Sequence, residues 1–105
     1  MPTAIDLVTL LQRQIDVISR EYGIRRIGLF GSVARGDDGA ESDIDVLVEF
    51  ADPVVTLDRY MDLKFCLEDL FGRRVGLVIR GTLKPRIRRS VEEETVYVEV
   101  PAPVL

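Results

Sequence analysis

Phe30 to Phe50 reads FGSVARGDDGAESDIDVLVEF, and the order of residue types in it organises the rest of the chain. Ile24 to Phe30 before it is an apolar run that predicts a strand, and Ile44 to Phe50 predicts a second. The second is unusual because Asp43 and Asp45 open it. Side chains two apart on a strand share a face, roughly 6–7 Å apart along the chain. Two carboxylates so placed repel each other unless a cation lies between them. That pattern asks for a hard ion such as Mg2+, which takes oxygen ligands and keeps some water. At the other end of the stretch, Gly31 follows the first strand and lets backbone approach a ligand closely. Ser32 adds a hydroxyl and Arg35 a fixed positive charge. A short helix beginning there would turn its free N–H groups toward an anion. A phosphate cradle facing a carboxylate pair points to metal-dependent chemistry on a nucleoside triphosphate.

The composition leaves this as the natural chemistry. The chain has no histidine and one cysteine, Cys66. Histidine catalysis and an intrachain disulfide are therefore excluded, and a zinc site lacks ligands. With 105 residues, 47% of them hydrophobic, the expectation is one domain over 1–105 with a single core. A net charge of −4 argues against nucleic-acid binding over the whole surface, though not against a local basic patch. No basic leader precedes an apolar run, and no run reaches the roughly 18 residues of a membrane span. The expected location is the cytoplasm.

Taken in order, Thr3 to Glu21 reads as a helix, with Ile5, Val8, Leu11, Ile15, Ile18 and Tyr22 at three- and four-residue steps. Thr3 is the expected N-cap, Asp6 its capping-box partner and Gly23 the terminator. Asp37, Asp38 and Glu41 read as a solvated loop. Thr56 or Asp58 can cap a helix running to Phe71, with Leu57, Tyr60, Met61, Leu67, Leu70 and Phe71 on one side. Leu63 and Phe65 widen that apolar surface, so coverage on two sides is expected. Cys66 reads as a small buried hydrophobe rather than a nucleophile. Gly72 ends the helix and Val75 to Ile79 forms a third strand. LKPRIRRSV, Leu83 to Val91, is a basic helical segment with Pro85 in its first turn, where proline is tolerated. Thr95 to Val100 is a short extended run. The PAPVL tail is either a frayed end or a docking segment. The fold class is α/β: a small mixed sheet with helices mainly on one face.

Gly31-Ser32, ten intervening residues, then Asp43-Ile44-Asp45 resembles the signature of the DNA polymerase beta-like nucleotidyltransferase superfamily. Arg35-Gly36 and Ser42 bring it closer, and the length is similar to that of a minimal nucleotidyltransferase (MNT) domain. Proteins of that family commonly act as antitoxins to HEPN-domain partners. The resemblance implies AMP transfer from ATP to a tyrosine hydroxyl of a HEPN toxin, with pyrophosphate released. It implies Asp43 and Asp45 as Mg2+ ligands, and Gly31, Ser32 and Arg35 as the triphosphate site.

The same resemblance implies a third carboxylate on the neighbouring strand, where it would complete the metal site and act as general base. The chain has Gly76 there, within GRRVGLVIR. Glu49 shares the face of Asp45 but lies four residues on, roughly 13 Å away. Impaired turnover with retained nucleotide binding is therefore expected. Two other readings stand beside catalysis: an antitoxin that neutralises its partner by contact alone, and a nucleotide sensor.

Overall fold

Helix α1 (Ala4–Tyr22) begins at Thr3, which closes a full capping box. The Thr3 N–H donates to Asp6 Oδ2 at 2.9 Å, and the Asp6 N–H donates to Thr3 Oγ1 at 3.3 Å. Gly23 ends the helix in the left-handed conformation at φ 66°, where a side chain would be strained. The computed structural model describes residues 3–36 and 43–101. The acids Asp37, Asp38 and Glu41, Ser42 and the tail beyond Pro101 lie outside the described residues.

Strand β1 (Ile24–Phe30) runs into the short helix α2 (Gly31–Arg35). Strand β2 (Ile44–Phe50), helix α3 (Leu57–Phe71) and strand β3 (Val75–Ile79) follow. A single 3-10 turn at Arg80–Thr82, helix α4 (Pro85–Glu94) and strand β4 (Val96–Val98) complete the order. The sheet order is β3-β2-β1-β4. β1 pairs antiparallel with both β2 and β4, while β2 and β3 run parallel. The sheet is therefore mixed, as expected, and α3 supplies the crossover that a parallel pair requires.

Alternation along the strands divides the sheet into two faces. Ile27 and Leu29 of β1 pair with Val48 and Val46 of β2, and all four are buried. They join Leu7, Leu11, Ile15 and Ile18 of α1 and Leu63, Leu67 and Phe71 of α3 in one core. Burying each such side chain is worth about 1.5–3 kcal/mol, so this face sets the stability. The other face carries Gly28, Phe30, Asp45, Leu47, Glu49 and Gly76, related by register. The last turn of α4 reaches this side, where Glu92 and Glu49 both bind Arg80.

Three sequence expectations shift. The buried stripe of α1 begins at Leu7, and Ile5 is 77% exposed, because the helix turns its 7-11-15-18 row to the sheet. Helix α3 is covered on one side: Leu63, Leu67 and Phe71 are buried, while Leu57 and Phe65 face out. Helix α4 is longer than the basic segment and takes in Glu92, Glu93 and Glu94. Of the two candidate caps for α3, Thr56 is the one used, accepting from the Arg59 N–H at 3.2 Å.

Candidate active site

The end of β1 and the start of β2 are paired through Phe30 and Asp45, so the chain leaves one strand and enters the other at the same end of the two central strands. Gly31, the first residue of α2, sits at φ 74° and is buried. A Cβ there would collide with Oδ2 of Asp45. Glycine is thus required twice, by its backbone angle and by the carboxylate lodged against it. This close approach is what the Gly-Ser turn provides at the end of β1.

Asp45 is the second residue of β2 and is half-buried. Burial pushes its carboxyl above the usual range; the neighbouring Asp43 pushes the same way, Arg35 opposes and Glu94 adds. Two carboxylates, one guanidinium and a further acid therefore share one field. Asp43 lies one residue ahead of the strand rather than on it, and its side chain is 50% exposed. It forms an ion pair with Arg74 at 3.3 Å, of the exposed kind that contributes little. Beneath that pair the Ile44 N–H donates to the Arg74 carbonyl at 2.9 Å, which fixes β2 against the entry to β3.

That register puts Gly76 directly beside Asp45. A Cβ on Gly76 would stand 3.1 Å from Oδ1 of Asp45. Its φ lies outside the left-handed range, so the backbone does not demand glycine. Among the described residues no group of three acids could hold an ion by itself. The donor set suits a hard cation only as a pair of carboxylates, completed by water or phosphate oxygens.

Ser32 is half-buried in the first turn of α2, and the N-cap of that helix is Phe30, which makes no side-chain cap. Arg35 is the last residue of α2. Its Nη1 approaches Oε2 of Glu94 at 3.4 Å, while Oε1 of Glu94 accepts from the Gly31 N–H at 3.0 Å. Sequence reading gave no hint of Glu94, which lies 63 residues beyond Gly31. Cys66 neighbours Tyr22 and Glu21 of α1, and burial pushes its thiol up, away from the thiolate a nucleophile needs.

The nucleotidyltransferase domain family matches residues 11–98. The protein adenylyltransferase MntA of Thermococcus cleftensis is 37% identical over 98 residues, covering 93% of this chain and 98% of the relative. A provisionally assigned minimal nucleotidyltransferase of known structure is 36% identical, with a TM-score of 0.70 over 85% of this chain and 93% of its own. More distant likenesses share the fold. A toxin–antitoxin complex with AMP-PNP has a TM-score of 0.69 at 23% identity, covering 86% of this chain and 73% of its own. A tri-AMPylated Shewanella oneidensis HEPN toxin in complex with its MNT antitoxin gives 0.64 at 21%, covering 90% and 73%.

Proposed function

The chain belongs to the nucleotidyltransferase domain family, as a minimal, MntA-like member, and from that premise we propose that it binds ATP at the Gly31 turn and acts on a HEPN-type toxin. The observation that carries this is the Asp45 carboxylate lodged against Gly31, with Asp43 and Arg35 in the same field. Asp43 and Asp45 are the residues that would hold Mg2+. Bound there, the ion would neutralise triphosphate charge and make the α-phosphorus more electrophilic. Ser32, the Gly31 N–H and Arg35 hold and orient the phosphates.

In the reaction a tyrosine oxygen of the partner forms a bond to the α-phosphorus, and the bond to the pyrophosphate oxygen breaks. The hydroxyl proton must leave during attack. A carboxylate at position 76 would be placed to accept it; glycine leaves that to solvent. General-base assistance is typically worth 10²–10⁴-fold, so transfer by this chain should be slow relative to its ability to bind nucleotide. The test is incubation with a HEPN-type toxin, ATP and Mg2+, followed by intact-mass measurement. Added AMP on the partner supports catalysis.

Gly76 favours one second reading, an antitoxin acting by contact. On that reading the complex forms and silences the partner, and no mass is added with or without ATP.

A further inference from the structure

The carboxylate of Glu94 sits on two donors assigned above to the triphosphate. One oxygen accepts from the Gly31 N–H at 3.0 Å, and the other lies 3.4 Å from Nη1 of Arg35. Two oxygens of one anion bridging a backbone N–H and a guanidinium is also how the edge of a phosphate would be held. Glu94 is the last residue of α4, immediately before Thr95 and β4. Its side chain is 35% exposed, so an incoming anion can reach it. We propose that Glu94 is an internal competitor of the nucleotide, a carboxylate that occupies the phosphate donors and must swing out when a triphosphate enters.

The inference rests on the assignment of Gly31 and Arg35 to the triphosphate. Its consequences are specific to charge. A carboxylate left near a bound triphosphate would repel it, and the repulsion grows with ligand charge and falls with salt. Displacement is also reciprocal. Whatever holds Glu94 away from Gly31 raises nucleotide affinity, and bound nucleotide frees the last turn of α4 by the same factor.

The test is calorimetric titration of the full chain and of Glu94→Gln with ATP, inorganic triphosphate and AMP at fixed Mg2+. Glutamine keeps an acceptor for the Gly31 N–H and removes the charge. The expected result is about tenfold tighter binding of ATP and triphosphate, a smaller gain for AMP, and a gain that shrinks in high salt. A purely supporting role for Glu94 would leave affinity unchanged or lower it, and either result overturns the proposal while the site assignment stands. If neither chain binds triphosphate, the site assignment falls and takes this proposal with it. Hydrogen exchange on the parent chain needs no variant. Saturating ATP should speed exchange across residues 92–96, and unchanged or slower exchange there overturns the proposal.

Discussion

Asp45 and Gly76 are direct partners in the parallel pairing of β2 with β3, and a Cβ on Gly76 would lie 3.1 Å from Oδ1 of Asp45. An acid introduced there faces Asp45 with no backbone strain. Gly76→Asp should raise AMP transfer at least tenfold, since general-base assistance alone is typically worth 10²–10⁴-fold. The new carboxylate repels Asp45 unless a cation intervenes, so the variant should melt lower than the parent without Mg2+ and recover when it is added. Label transfer to the partner and melting with and without Mg2+ are the measurements. Equal transfer rates in a folded variant would show that position 76 is not a catalytic place.

Ser32→Ala should weaken ATP binding by about tenfold or more, from loss of a charge-assisted bond worth roughly 1.5–3 kcal/mol. Stability should hold, because the N-cap of α2 is Phe30 and not Ser32. Calorimetry and thermal melting separate the two effects. Unchanged affinity with a lowered melting temperature would mean that Ser32 serves the fold alone.

On α4, Arg86 and Arg89 are exposed, and Ile87 between them is 51% exposed. Arg88 is half-buried and donates through Nη2 to the Leu83 carbonyl at 2.9 Å. The basic segment thus offers two outward cations around an apolar side chain, a combination suited to an interface. The double reversal Arg86→Glu with Arg89→Glu should weaken capture of the HEPN-type partner at least tenfold. Binding of the two proteins at equal strength would remove this helix from the interface.

Acid should weaken the α3–β3 junction. Glu68 accepts from the Val75 N–H at 2.9 Å and pairs with Lys64 at 3.4 Å. The backbone bond, opposed by desolvation and helped by Lys64, holds its carboxyl below the ordinary 4.5. A depressed folded pKa stabilises above the unfolded value and loses that contribution as pH falls through the folded one. Urea midpoints of the parent should drop on going below pH 4.5, and those of Glu68→Gln should drop less over the same range. Parallel acid limbs would deny Glu68 this role.

Gly28→Ala should destabilise by about 1–3 kcal/mol, as overpacking does. A Cβ there would lie 2.6 Å from Cγ2 of Thr95 and 2.7 Å from the Val96 carbonyl oxygen. The backbone of β4 cannot yield as a side chain can. A midpoint in urea within error of the parent would show that β4 moves aside without cost.

Local patterns carried most of the fold into the sequence. Thr3 with Asp6, Gly23, Thr56 and Gly72 each act within a few residues of their partners, and each bounds a helix as read. The meeting of β1 and β2 around Gly31 and Asp45 was legible because glycine and acid types are rare in apolar strands. What escaped depends on distant pairing. Gly28 is glycine because β4 crosses it through Tyr97, and nothing near position 28 announces that. Glu94 stands in an acidic run that follows the basic segment, and only the fold of α4 brings it to Gly31. Ile5 and Leu7 are equally apolar, so periodicity alone could not choose which one faces the sheet.

The open place beside Asp45 has a genetic side. Two of the glycine codons become aspartate codons by changing their middle base. Position 76 has an ordinary backbone angle and lies on the strand face away from the main core, so the exchange in either direction leaves the apolar packing untouched. A lineage carrying this chain can therefore gain or discard an acid next to Asp45 in one mutational step, with the rest of the gene unaltered.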